Sequence, residues 1–127
     1  MNRENPTMSK VKVTFVLPET LQRDLKEQVV KDGYDLKGKS RWVGEAIKML
    51  LMNQNYPDLV KLSDEMNGFE KQESVILDRP LKIEIADAAL TIRKKYPALE
   101  GIQSRIVRTA IVQRLLRQEK LSHLTFN

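Results

Sequence analysis

Two eight-residue segments, Ser-Arg-Trp-Val-Gly-Glu-Ala-Ile at 40–47 and Ser-Arg-Ile-Val-Arg-Thr-Ala-Ile at 104–111, lie 64 residues apart and agree at five positions. Each belongs to a longer pattern that also returns, and an internal repeat limits a fold strongly because each copy must bury its apolar face against something. Residues 11–17 place Val11, Val13, Phe15 and Leu17 on one face and Lys12, Thr14 and Val16 on the other, the period of two of a half-buried strand. Pro18-Glu19-Thr20 ends that run, and Leu21, Leu25 and Val29 then recur at helical spacing until Asp32-Gly33. After a loop at 34–39, Ser40 is placed to cap a second helix striped with Trp42, Val43, Ala46, Ile47, Leu50 and Leu51. The second copy has the same order. A β-branched run at 74–77 precedes Asp78 as N-cap with Pro80 just inside. Leu81, Ile85, Ala88, Ala89 and Ile92 mark a helix ending near Tyr96-Pro97, and Ser104-Arg105 opens another bearing Ile106, Val107, Ala110, Ile111, Leu115 and Leu116. Leu17 and Leu77 are 60 apart rather than 64, which predicts four extra residues in the connection between the second pair of helices, where lengthening a loop costs little.

Composition narrows the function classes. At 127 residues the chain has room for one compact domain or two very small ones. Hydrophobic residues at 41% with 31% charged suit an ordered chain. The 22 Lys+Arg against 17 Asp+Glu give +5, a field that favours an anionic partner. The charge sits on the copies: residues 10–51 carry nine basic and six acidic side chains, residues 72–120 ten and six, and residues 52–71 are net acidic. With no cysteine there is no disulfide, thiolate zinc site or thiol nucleophile, and the lone His123 supplies no histidine cluster, so neither a metal site nor a cofactor is expected. The longest apolar stretch, 49–52, is far too short to cross a bilayer, which points to a cytoplasmic protein with no membrane partner.

A copy of some 45 residues is too small to stand alone, and a lone strand leaves its backbone groups unpaired. The expected solution is a mainly α fold with a two-stranded antiparallel β-ribbon, a tandem strand-helix-helix in which the strands near 11–17 and 73–77 pair and four helices pack beneath as an intramolecular pseudo-dimer. The expected organisation is a flexible arm at 1–9, a first repeat at 10–51, a linker at 52–72 with one helical turn around Asp58 to Glu65, a second repeat at 73–117 and a tail at 118–127. Val13, Phe15, Leu17, Val75 and Leu77 then face the core. Lys12, Thr14, Val16, Gln72, Ser74 and Ile76 face outward. A two-stranded ribbon fits the major groove of B-DNA, where such side chains reach base edges and the thymine methyl. They are also residues that an ordinary solvent-facing strand carries.

In this order of elements, with a strand ending Leu17-Pro18-Glu19 and Gly38-Lys39-Ser40-Arg41 opening the second helix, the chain resembles the ribbon-helix-helix family of DNA-binding proteins of the Arc, MetJ and CopG type. Its tandem form looks more like the conjugation accessory proteins of the TraY kind. The resemblance implies base contacts from Lys12, Thr14, Val16, Gln72, Ser74 and Ile76, and phosphate contacts from Lys39, Ser40, Arg41, Ser104 and Arg105. It implies double-stranded DNA as partner, transcriptional regulation without catalysis, nucleoid or plasmid association, and a single-chain pseudo-dimer with room to associate further on DNA. The alternative is a relaxosome, conjugation or partition accessory whose scaffold and tail hold a protein such as a relaxase or toxin. The second copy departs from the pattern, with Ile102-Gln103 in place of Gly38-Lys39 and Glu73 on the core-facing side.

Residues 33–40 also match the phosphate-loop pattern GxxxxGK[ST]. That loop works only between a buried strand and a helix of a parallel sheet, whereas residues 19–32 read as helix and the chain is short for such a sheet. An ATPase is therefore not expected.

Overall fold

The computed structural model describes residues 9–35, 37–63 and 70–125, with side chains described as far as Gln118. The expected arm at 1–9 falls, except for Ser9, outside these residues, as does the side chain of His123. The elements run β1 (Lys10–Pro18), α1 (Glu19–Lys31), α2 (Gly38–Leu51), α3 (Tyr56–Leu62), β2 (Glu70–Asp78), α4 (Arg79–Lys95) and α5 (Ile102–Thr125). Among the described residues the chain is thus mainly helical, with five helices and one two-stranded antiparallel sheet.

The sheet forms because each strand offers an alternating apolar face. Val13, Phe15 and Leu17 from β1 and Val75 and Leu77 from β2 are buried, as the alternation predicts, over a core that holds Leu25, Trp42, Ile47, Ile85, Ile106 and Ile111. The register pairs Val13 with Val75, Thr14 with Ser74, Lys12 with Ile76 and Val16 with Gln72. Beneath the ribbon α2 packs chiefly on α5.

Local chemistry sets the helix ends. Glu19 in the first turn of α1 and Lys31 in its last suit the helix dipole. Beyond the C-cap Asp32, Gly33 adopts a φ of 84°, its N–H donating to the Val30 carbonyl at 3.0 Å while Tyr34 N–H reaches the Val29 carbonyl at 3.1 Å. This closes the helix as a Schellman motif, which needs a residue tolerant of left-handed backbone.

Four expectations are corrected. The extra residues of the second copy are not in a loop: α4 has 17 residues against 13 in α1, and the connections 32–37 and 96–101 are equally long. Four residues add about one helical turn, which keeps the apolar stripe in phase. Ser40 and Ser104 are not N-caps, because α2 begins at Gly38 and α5 at Ile102, so both serines lie inside the first turn. The segment 52–72 is more than a linker, since Pro57 and Val60 of α3 are buried and β2 begins at Glu70. Residues 118–125 are not a separate tail but continue α5.

One buried group is at odds with its surroundings. The Thr109 hydroxyl on α5 is buried and has no hydrogen-bond partner among the described residues. Because an unsatisfied buried hydroxyl costs stability, Thr109→Val is expected to stabilise the fold by roughly 1 kcal/mol, read as a higher urea midpoint with an unchanged slope. A lower midpoint would show that the hydroxyl is satisfied in solution.

Candidate nucleic-acid interface

The outward face of the ribbon presents six side chains in three opposed pairs. Lys12 lies across from Ile76, Thr14 from Ser74, and Val16 from Gln72. Lys12, Thr14, Gln72 and Ile76 are exposed and Val16 and Ser74 half-buried. Ile76 leaves 47% of its surface to solvent, a large apolar side chain with no place in the core. Every residue expected to read bases thus lies on one surface, and each opposed pair offers at least one group able to hydrogen-bond.

A two-stranded ribbon has two outer edges, and unpaired edge amides and carbonyls are costly unless covered or solvated. Side chains from the first turns of α2 and α5 cover them. Ile76 N–H donates to Ser40 Oγ at 2.9 Å, and Val16 N–H donates to Ser104 Oγ at 3.2 Å. The β1 edge is fastened further, with Gln103 Nε2 donating to the Thr14 carbonyl at 2.9 Å and Arg108 to the Val16 carbonyl at 3.0 Å. The two serines therefore brace the ribbon from opposite sides, which leaves the first turns of both helices at its flanks.

The remaining anchors differ between the flanks. Arg41 is 74% exposed, 3.4 Å from Glu45 and stacked 4.9 Å over the Tyr34 ring. Lys39 is turned inward to an ion pair with Glu73 at 2.5 Å, and Gln22 donates to the same carboxylate. Arg105 is half-buried and donates to the carbonyl and hydroxyl of Ser63, each at 3.3 Å. Of the three cations expected at phosphates, only Arg41 is presented freely. Three that sequence reasoning passed over, Lys10, Lys37 and Lys48, line a groove of about 850 Å³ with Lys39, Arg41, Ser74 and Ile76. Arg41 and Lys48 are seven residues apart on one helix, a spacing that places them on one face and was available as a signal.

A polar network holds this flank in place. Arg114 of α5 stacks on Trp42 at 4.4 Å and donates to the Trp42 carbonyl at 2.8 Å and to Glu45 at 3.2 Å. Tyr34 donates to Glu45, and Trp42 Nε1 donates to Asp32 at 2.7 Å. Burial pushes the Glu45 carboxyl up, but hydrogen bonds from Tyr34, Arg114 and Arg41 outweigh it and hold it below its ordinary value. The phosphate-loop look-alike at 33–40 runs from the end of α1 into α2 and follows a helix, not a strand. Among the described residues no group of three or more His, Cys, Asp or Glu is placed to hold a metal, and no helix is long and apolar enough to cross a membrane.

Glu73 on the inner face of the ribbon gives a pH prediction. Burial raises its pKa, and the bonds from Lys39 and Gln22 more than reverse this, leaving the carboxyl below its usual range. A carboxyl depressed in the folded state stabilises above its unfolded pKa, about 4.3, and that contribution disappears as pH falls through the folded value. Urea midpoints should therefore fall from pH 6 to pH 3 by more in the wild type than in Glu73→Gln; equal losses would mean that the pair contributes nothing. Ser40→Ala and Ser104→Ala should each cost roughly 1 kcal/mol by freeing a strand amide, again read from urea midpoints.

Set against known proteins, the chain matches no family model, no curated protein and no solved structure.

Proposed function

We propose that the chain is a tandem ribbon-helix-helix protein, an intramolecular pseudo-dimer that binds duplex DNA sequence-specifically with its ribbon in the major groove and thereby regulates transcription. The observation that carries this reading is the register of the ribbon. Thr14 and Ser74 are equivalent under the 60-residue shift that relates Leu17 to Leu77, and they lie directly opposite each other. Lys12 lies across from Ile76, the counterpart of Val16, and Val16 lies across from Gln72, the counterpart of Lys12. Pairing in which residue i meets j and the counterpart of j meets the counterpart of i is what a two-fold axis through the central hydroxyl pair generates. The crossed bonds agree, since Ser40 of the first copy holds the strand of the second and Ser104 of the second holds the strand of the first.

The chemistry of the outward face fits base edges. Lys12 is a donor suited to guanine, the Gln72 amide suits adenine, the two central hydroxyls serve as donor or acceptor, and Val16 and Ile76 offer apolar contact to thymine methyls. Phosphate contacts beside the ribbon come from the first turn of α2, with Arg41 foremost. Since Lys-Thr-Val and Gln-Ser-Ile differ, the two half-sites differ too. A role as a conjugation or partition accessory uses the same DNA-binding surface and adds a protein partner, such as a relaxase or toxin, on the scaffold or the end of α5.

Selection of bound duplexes from a random pool at physiological salt should enrich one motif with two unlike half-sites. A perfect palindrome would overturn the asymmetry, and no enrichment would overturn sequence-specific binding. Lys12→Ala should lower discrimination at one base step by roughly 1–3 kcal/mol while affinity for random duplex changes little. Equal losses on selected and random DNA would make Lys12 a phosphate contact instead.

A further inference from the structure

The two flanks of the ribbon are unlike in charge, and the difference is larger than the repeats require. Lys10, Lys37, Lys39, Arg41 and Lys48 line the groove between β2 and α2, against two carboxylates, Glu45 and Asp78. Under the shifts that relate the copies, 60 for the strands and 64 for the second helices, Lys10 becomes Glu70, Lys37 becomes Gly101, Lys39 becomes Gln103 and Lys48 becomes Val112. Of the five cations only Arg41 keeps a basic counterpart, Arg105, and that one is half-buried and bonded to Ser63. Gly44, buried against Leu77 on the α2 side, becomes Arg108, whose guanidinium is spent on the Val16 carbonyl at the strand edge. The ends of the ribbon repeat the contrast. Exposed Arg79 stands at the α2 end, whereas Glu19 and Glu70 stand at the α5 end with one cation, Lys71, 3.5 Å from Glu19.

We infer that this chain grips the DNA backbone on one flank only: the groove along α2 takes the phosphates beside one half-site, while the first turn of α5 serves to hold the ribbon and leaves the other half-site to base contacts alone. The inference rests on the DNA-binding reading above. Its physical content is simple. A duplex laid on the ribbon brings a phosphate backbone past each flank. On the α2 side it meets Lys37, Arg41 and Lys48, which are exposed and lie in a groove roomy enough for phosphate groups, beside Lys10, which is exposed but paired with Asp78 at 2.6 Å. On the α5 side it meets Glu70, whose carboxylate repels it, Glu19 with its charge offset by Lys71 at 3.5 Å, and an amide and two guanidiniums already engaged with the protein's own backbone and Ser63. The complex is then polar in direction, with one half-site bound through charge and the other through fit.

The test uses the full chain and the duplex recovered by selection. Ethylation interference should mark phosphates on one side of the centre of the site, and Lys37→Ala/Lys48→Ala should remove part of that pattern. Each phosphate contact contributes about 0.9 to the slope of log affinity against log salt, so the double variant should lose about 2 from the slope. A fourfold rise in salt should then cost it roughly tenfold less affinity than it costs the wild type. Interference spread evenly about the centre, or an unchanged slope in the double variant, would overturn one-sided gripping while leaving DNA binding intact. Absence of any salt-sensitive duplex binding by the wild type would overturn the DNA-binding reading and this inference with it.

Discussion

Everything in this fold follows from a ribbon that, among the described residues, has only two strands and no third to cover either edge. Two paired strands are marginal in water, because they satisfy one edge each and have one face to bury. The chain meets both needs with the same helices. Leu25, Ile47, Ile85 and Ile111 supply the surface on which Val13, Phe15, Leu17, Val75 and Leu77 pack, and the first turns of α2 and α5 deliver Ser40 and Ser104 to the strand edges. Because an edge amide must meet a hydroxyl within about 3 Å, the brace also fixes where each helix begins relative to the ribbon. The outer face is left free of structural duty, which is why six side chains of mixed chemistry can stand there.

The inner face carries one residue that the packing argument alone would reject. Glu73 lies opposite Phe15, with only 11% of its side chain exposed. It is tolerated because Lys39 and Gln22 arrive from different helices to meet its two oxygens. That arrangement removes Lys39 from the solvent-facing cations of α2, and removing the partner would leave a charge nearly buried. The second polar cluster, Arg114 on Trp42 with Glu45 and Tyr34, ties α5 to the loop that leads into α2. In both cases a polar group inside the body is matched by a partner from a distant part of the chain, so the clusters join the two halves as the apolar core does.

Much of this was legible in the sequence where one residue type has one physical consequence. Alternation at 11–17 named the buried face of β1, with Val11 half-buried at its end, and the stripes at 42–51 and 106–116 named the helical core, Trp42 included, except that Leu116 is exposed. The order of elements came from the repeat. One of the misreadings has a plain cause, which is that serine has more than one structural use. Ser40 was readable as a cap from its neighbours, but a hydroxyl that accepts from a strand 36 residues away leaves no local mark. The added turn of α4 was implied by the helix ends themselves, since Asp32-Gly33 and Tyr96-Pro97 lie 64 residues apart while the strand ends lie 60 apart. The inward turn of Lys39 depends on Glu73, and nothing in either local pattern pairs them.

On the reading proposed, tandem linkage has a consequence that two separate chains cannot have. In a symmetric dimer every substitution appears twice, so a carboxylate that sharpens one end of a binding surface burdens the other end equally. Joined copies are free of that constraint. Here the freedom is visible in paired positions: Lys12 against Gln72 on the reading face, Gly44 against Arg108 at the strand edge, and Lys10 against Glu70 at the ends of the ribbon. The buried counterparts Val43 and Val107, Ala46 and Ala110, Ile47 and Ile111 remain identical, whereas Trp42 and Ile106, Phe15 and Val75, and Val13 and Glu73 differ, so divergence reaches the inner face as well as the outer. The inner substitutions are compensated locally, Glu73 by Lys39 and Gln22, so the halves still pack together while charge separates them where they face a partner.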